Sequence, residues 1–146
     1  QTLELAGALE TRLREAPLRE FLDSMFGNEP TLWSDSLVGD DRLRFTLNTL
    51  TRIRFVDSDG RLDFAAKDGA GTAPPGLVPW FDAAGRRSAG TPIAFGHWST
   101  LGLLQRGDLL GIDTGCVWGG KLTAVRVDGG RRDVCQVDCE QSQRPG

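Results

Sequence analysis

The apolar positions of the first fifty residues recur every three to four residues, the spacing of one face of an α-helix. This pattern predicts an amphipathic helix over Thr2–Glu15 and a second, short helix over Leu18–Met25, which the turn-forming residues at 27–30 close. A third helix is predicted from Asp41 toward Thr51, because three leucines share one of its sides. We therefore expect the first third of the chain to be helical.

From residue 52 onward the hydrophobic period changes to two, the period of a β-strand. Residues 52–55 alternate arginine with an apolar side chain, an Asp-Ser-Asp-Gly turn follows at 57–60, and apolar residues return at 62–64. This arrangement predicts a β-hairpin. The segment 67–87 is rich in Gly, Ala and Pro and predicts a long surface loop, with Trp80-Phe81 as its anchor.

Short apolar runs in the second half predict further strands. Two are expected at Ile93–Phe95 and Leu109–Ile112. A second hairpin is expected where Leu122–Val127 pairs with Val134–Val137 through the turn Asp128-Gly129-Gly130. The pattern thus favours strands over helices in this half.

Together these elements predict an α+β fold in one domain, since 146 residues suffice for one core but not comfortably for two. The predicted helical part covers 1–51. The predicted strand-rich part, with mostly antiparallel strands, covers 52–140, and we expect 141–146 to be a frayed tail.

The charge balance narrows the classes of partner. The chain has 20 acidic and 17 basic residues and a net charge of −3, which gives no general attraction to DNA or to an anionic membrane. No apolar run reaches the roughly 18 residues that span a bilayer, so we expect a cytoplasmic protein. The chain starts at Gln1 and its one methionine is Met25, so we expect further sequence upstream.

The three cysteines, Cys116, Cys135 and Cys139, are an odd number in a chain without a secretion signal. This count favours reduced thiols over a disulfide framework. Together with His97 they have the residue types of a Cys₃His zinc site, but the four-residue Cys135–Cys139 spacing is wider than the usual Cys-x₂-Cys knuckle. Ordinary thiols near strands are the favoured interpretation.

The single histidine, His97, follows a predicted strand in the sequence Phe-Gly-His-Trp-Ser. A histidine at a strand end often serves only as a hydrogen-bonded structural group, but it can also bind a metal or transfer a proton. The next predicted strand ends in Asp113 and Thr114, which we expect to face the same crevice. Trp98 and Trp118 are candidates to stack on a nucleotide base, and core or rim packing is the simpler alternative.

Four arginines lie within thirteen residues at Arg42, Arg44, Arg52 and Arg54. Guanidinium groups bind phosphate well because their fork of donors matches its oxygens. The alternative is a solvated face of the third helix and the first hairpin. The sequence leaves both interpretations open.

Six segments occur in the order found in one enzyme family. They are Phe-Gly-Asn-Glu-Pro at 26–30 with Trp33, Asp-Arg-Leu-Arg at 41–44, Leu-Thr-Arg-Ile-Arg-Phe at 50–55, Leu-Val-Pro-Trp-Phe at 77–81, Phe-Gly-His-Trp-Ser at 95–99, and Asp-Thr-Gly-Cys-Val-Trp-Gly-Gly at 113–120. The chain resembles the C-terminal half of the bacterial symmetrical diadenosine tetraphosphatases. The resemblance implies a calcineurin-like metallophosphoesterase with an αββα sandwich, whose two divalent metal ions, expected to be manganese, support hydrolysis of diadenosine tetraphosphate to two ADP.

The resemblance also implies roles for single residues. His97 would be the last histidine ligand of the dimetal site. Arg52, Arg54 and Lys67 would contact polyphosphate, Trp98 or Trp118 adenine, and Asp113 and Thr114 would shape the loop beside the histidine. The other metal-binding motifs of the family are absent from this sequence, and a two-metal mechanism needs both ions. No catalytic residue is therefore assigned, and the chain alone is expected to be inactive.

Two other functions remain open: a non-enzymatic nucleotide-binding remnant or subunit that docks onto a separate N-terminal half, and a small zinc-stabilised structural module. Half of a sandwich would also expose strand edges and an apolar face, so self-association is expected.

Overall fold

The computed structural model describes residues 1–15, 17–128 and 130–144. It has an α+β fold, as predicted from the sequence. The chain divides into two compact units that are not contiguous in sequence. The first unit contains 1–66 and 74–83, and the second contains 67–73 and 84–146.

Three helices build most of the first unit. Helix α1 spans Thr2–Glu15, α2 spans Leu18–Met25 and α3 spans Gly39–Arg52. The first two match their predicted limits, and α3 extends slightly beyond its predicted ones at both ends. Leu9 of α1 packs in one buried cluster with Phe21 and Met25 of α2, joined by partly buried leucines of α3.

A three-stranded antiparallel sheet completes the first unit. Its strands are β1 at Phe55–Val56, β2 at Leu62–Asp63 and β3 at Val78–Pro79, in the order β2-β1-β3. The predicted hairpin of β1 and β2 is confirmed, whereas β3 lies where a loop was predicted. Phe81, part of the predicted loop anchor, is buried, in a 3₁₀ helix at Trp80–Asp82.

The second unit contains two sheets. Strands β4 at Ile93–Phe95, β5 at Leu104–Arg106 and β6 at Leu109–Gly111 form one sheet in the order β4-β6-β5, in which β4 and β6 run parallel. Strands β7 at Lys121–Asp128 and β8 at Arg131–Asp138 form an antiparallel ribbon.

The strand predictions for this second half are largely confirmed. The predicted strands are present, and most of the pairings are antiparallel. Strand β5 was not predicted. The predicted turn of the β7–β8 hairpin includes Gly129, which lies outside the described residues.

The end of the described chain differs from the frayed tail that was predicted. The backbone N–H groups of Ser142 and Gln143 both donate to the carbonyl of Val117, and Gln141 forms a bridge with Trp118. Residues 141–143 are therefore held against the loop that precedes β7. Residues 145–146 of the predicted tail lie outside the described part. None of the helices in the described ranges has the length and hydropathy needed to cross a bilayer.

Candidate functional site

The parallel pair of β4 and β6 brings two chemically rich segments together. Phe95 and Gly111 are register partners at the carboxyl ends of the two strands, and the N–H of Ile112 donates to the carbonyl of Phe95 at 3.0 Å. Because parallel strands end at the same edge, the loops 96–100 and 112–120 start side by side. A side chain at Gly96 would begin 3.7 Å from Cβ of Asp113, which shows how closely the loops approach.

His97 has a backbone conformation that is unusual for its residue type. Its φ of +67° lies in the left-handed region, and it is the one non-glycine residue with a positive φ in the part of the chain that the structure describes. For an ordinary L-residue this conformation costs about 1–3 kcal/mol, and such residues cluster at functional sites. The histidine side chain is exposed. The loop therefore presents an imidazole to solvent at a cost in backbone energy.

The residues that follow His97 anchor the loop. Trp98 is only 2% exposed, and its indole N–H donates to the carbonyl of Asp68 at 2.9 Å. The hydroxyl of Thr100 donates to the carbonyl of Lys67 at 2.7 Å. The prediction that Trp98 stacks on a base conflicts with this burial, since both faces of its ring are covered. Trp98 instead packs in the second unit and fixes the position of the histidine.

Lys67 lies in the same unit as His97, as the hydrogen bond from Thr100 shows. That bond holds the lysine main chain, while the residue is exposed. Trp118 is half-buried in the second loop, where its backbone N–H donates to the carbonyl of Gly115 at 2.9 Å. Of the two tryptophans predicted to contact adenine, Trp118 is the more accessible.

Asp113 and Thr114 shape the second loop from within. A carboxylate oxygen of Asp113 accepts a hydrogen bond from the N–H of Gly115 at 3.1 Å. The hydroxyl of Thr114 is engaged with the carbonyl of Lys121 and the hydroxyl of Thr123. The Asp113 side chain therefore fixes the turn of the loop, and the Thr114 side chain holds the loop against the start of β7.

A glycine is required where this loop enters β7. A Cβ added to Gly120 would lie 2.2 Å from the carbonyl oxygen of Thr114, far inside van der Waals contact. The N–H of Gly120 donates to the carbonyl of Gly115, and its carbonyl accepts from the N–H of Cys139. The loop is thus closed by its own backbone.

The expectation of three reduced thiols is wrong. Cys116 and Cys139 form a disulfide, and Cys135 is the free, exposed cysteine. The strand β8 returns alongside β7 and brings Cys139 to the base of the ribbon, which a reading of composition alone does not detect. The Cys₃His zinc site is wrong for the same reason, because two of its three sulfurs are bonded to each other. Within the described ranges, no three His, Cys, Asp or Glu side chains are grouped to hold a metal ion.

Arg52 and Arg54 belong to the first unit. The guanidinium of Arg52 donates to the side-chain oxygens of Asn48 at 3.1 Å and Asn28 at 3.0 Å. Its Cζ atom lies 4.5 Å from the ring centroid of Phe64. Arg54 holds the chain at the start of β1, where its carbonyl accepts from the N–H of Trp80 at 2.9 Å.

The sequence reasoning missed two partners of Arg52. Asn48 is 1% exposed, and its amide donates to the carbonyl of Gly27 at 3.0 Å. Asparagine is a poor residue for a helix interior, so one lying between the apolar positions Leu47 and Leu50 was a usable signal. Asn28 was interpreted only as part of a turn.

An ion pair stabilises the opposite end of the β4–β6 sheet. Arg86 donates to a carboxylate oxygen of Asp108 at 2.7 Å, and the N–H of Gly90 donates to the same oxygen. The hydrogen bond from Arg86 lowers the pKa of Asp108 below its ordinary value, against a smaller opposing effect of desolvation. This pair lies beyond the amino end of β4, away from His97.

The fold and the two loops define an α+β protein with a candidate ligand site at the carboxyl edge of a parallel strand pair. No protein-family profile matches the chain. A protein of Ralstonia nicotianae named symmetrical bis(5'-nucleosyl)-tetraphosphatase is 59% identical over 145 residues, which are 98% of this chain and 51% of that protein. Proteins of the same name from Acidovorax ebreus and Bordetella pertussis are 55% and 48% identical, over 100% and 99% of this chain and 53% and 52% of theirs. The chain spans about half the length of the curated relatives it matches.

Proposed function

We propose that this chain is the C-terminal part of a symmetrical dinucleoside tetraphosphatase, in which it forms half of an αββα sandwich and supplies His97 to the active site. The intact protein would hydrolyse diadenosine tetraphosphate to two ADP in the cytoplasm. The observation that carries the proposal is the exposed His97 side chain on a left-handed backbone, at the edge where β4 and β6 both end. The similarity to relatives of that name supports it.

The residues of this chain fit one part of a dimetal centre. His97 offers one imidazole ligand, while the described residues hold no group of three ligands, so the other ligands would come from the remainder of the protein. Two divalent ions, which we expect to be manganese, would supply Lewis-acid activation of the attacking water and neutralise polyphosphate charge. Asp113 would shape the pocket beside the imidazole.

The remaining roles concern substrate binding. Lys67, in the same unit as His97, would bind polyphosphate oxygens with its exposed ammonium group. Arg52 and Arg54 would contact phosphate in the intact protein. Trp118 would contribute to the adenine site, and Thr114 would fix the loop that carries it. The chain alone would not turn over the dinucleotide.

A chimera tests this proposal. In it, the chain replaces the segment that it matches in one of the relatives, and hydrolysis of diadenosine tetraphosphate is measured with manganese. We expect the chimera to produce ADP, and its His97→Ala variant to lose hydrolysis while keeping its unfolding midpoint. The helix residue Leu3 provides a control, since its side chain is 87% exposed and Leu3→Ala should leave hydrolysis unchanged. Activity in the His97→Ala chimera, or manganese-dependent turnover by the isolated chain, would contradict the proposal.

The exposed apolar side chains of the β7–β8 ribbon support the expectation of self-association. Leu122 and Val137 are register partners, and they are 61% and 60% exposed. We propose that this face associates with a second chain or with the rest of the protein. Sedimentation over a range of concentrations checks this, and a monomer at all concentrations would contradict self-association.

A further inference from the structure

A cavity of about 1030 Å³ opens in the first unit between α2, the turn after it and α3. Its apolar wall consists of Leu18, Leu22, Met25, Phe26 and Leu47. Phe26 is 79% exposed. An aromatic ring that is exposed beside an apolar cavity is well suited to stack on a planar ligand.

The cavity also has a positively charged rim, because Arg19 and Arg52 line it together with a single carboxylate, Asp23. Arg52 is oriented by two neutral acceptors, the side-chain oxygens of Asn28 and Asn48. No carboxylate lies within ion-pair distance of Arg52 in the described part of the chain. The guanidinium group is therefore oriented while its charge is not neutralised, which is the arrangement expected for a group that binds an anion.

Arg52 is held in place by the core of the first unit. Asn48 is almost completely buried and uses both ends of its amide, donating to the carbonyl of Gly27 and accepting from Arg52. The ring of Phe64 lies against the guanidinium plane. These contacts fix the cation in advance, so that little side-chain entropy is lost when a ligand binds.

We propose that the α2–α3 cavity is a nucleotide subsite, in which Phe26 stacks on the base and Arg52 binds the phosphate. The assignment deepens the proposed function, on which it rests for the choice of a purine nucleotide. It adds a base-binding surface that the sequence motifs did not indicate. It also places the base of this nucleotide at the turn after α2, in the first unit, rather than on Trp98.

Calorimetric titration of the chain tests the subsite, with ADP, adenosine and pyrophosphate as probes in buffer that contains a metal chelator. We expect ADP to bind with a Kd below about 1 mM and both fragments to bind more weakly. Phe26→Ala should weaken the binding of ADP and of adenosine alike by about tenfold, because it removes the stacking of the base on an aromatic ring. Leu3→Ala is the matched control, because Leu3 is 87% exposed and does not line the cavity.

Arg52→Lys separates phosphate binding from structural damage. We expect it to weaken ADP by about tenfold and to leave adenosine unchanged, because it removes the bidentate fork but not the base contact. A variant that distorted the cavity would weaken both ligands equally. Arg14→Lys, in an exposed ion pair on α1, is the control for loss of a guanidinium group.

Each outcome decides the assignment. Absence of ADP binding at millimolar concentration, or ADP binding that Phe26→Ala and Arg52→Lys leave intact, overturns it. A dimer that Phe26→Ala dissociates, without ADP binding, would assign the cavity to a second copy of the chain instead. The titration and the chimera test different proposals. If ADP binds without metal but the chimera is inactive, the subsite stands and the proposed function fails. If the chimera is active but ADP does not bind without metal, only the subsite is refuted.

Discussion

The Cys116–Cys139 disulfide should contribute substantially to the stability of the second unit. The two cysteines are 23 residues apart, and the loop that they close contains the whole β7–β8 ribbon. In the chain-entropy treatment, cross-linking a loop of this length lowers the entropy of the unfolded chain and raises its free energy by about 3 kcal/mol. The double variant Cys116→Ser/Cys139→Ser removes the bond without leaving an unpaired thiol at either position. We therefore expect it to unfold with about 3 kcal/mol less free energy.

Urea denaturation of the oxidised protein, followed by tryptophan fluorescence, measures this difference. Trp98 and Trp118 both report on the second unit. The exposed cysteine provides the matched control: Cys135→Ser should match the parent protein. Addition of a reducing agent should lower the stability of the parent to that of the double variant and leave the double variant unchanged.

Counting the free thiols checks, independently of stability, that the Cys116–Cys139 disulfide is present. Alkylation of the denatured, unreduced chain should modify one cysteine, and alkylation after reduction should modify three. Three modifications without reduction would show that the bond is absent. Equal stability of the double variant and the parent, with the bond present, would instead refute the loop-entropy reasoning.

Three further predictions concern single side chains. Asn48→Ala should destabilise the chain by about 1–3 kcal/mol, because it leaves the carbonyl of Gly27 without its buried donor; a urea midpoint equal to that of the parent would count against this. His97→Gly should stabilise the chain by about 1 kcal/mol, since glycine adopts a positive φ without strain, and a lower thermal midpoint would refute the strain argument. The pKa of Asp108 is lowered, so its pairing with Arg86 stabilises the native chain above the ordinary pKa of an aspartate carboxyl, and this stabilisation is lost as the pH falls through the lower native pKa. Unfolding midpoints of the parent and Asp108→Asn should therefore differ at neutral pH and converge in acid, whereas a constant difference would contradict the assignment.

The helices were predictable because their signals are local. Pro17 and the residues at 27–30 limit α2, and the apolar spacing defines the face that packs against the other helices. Strand β3, which was not predicted, has the opposite character. Strand β3 is two residues long and ends in Pro79, a residue that normally argues against a strand. It forms only because β1 lies beside it, which is information that its own sequence lacks.

The candidate site was predictable in part for the same reason. Strand ends and turn residues identified the two loops, and the parallel pairing of β4 with β6 explains why they meet. The disulfide and the contact of Arg52 with Asn28 depend on residues more than twenty positions apart. Composition and spacing cannot detect such contacts, because folding alone creates them.

Because the segments of the two units alternate along the sequence, neither unit corresponds to one continuous piece of the gene. The first unit needs 74–83 as well as 1–66, and the second needs 67–73 as well as the residues from 84 onward. A stop codon after residue 66 would delete β3 and leave one edge of β1 without its partner. Neither unit can therefore be obtained as a single uninterrupted fragment, and a split-protein or domain-swap library for this chain should recombine both segments of a unit together.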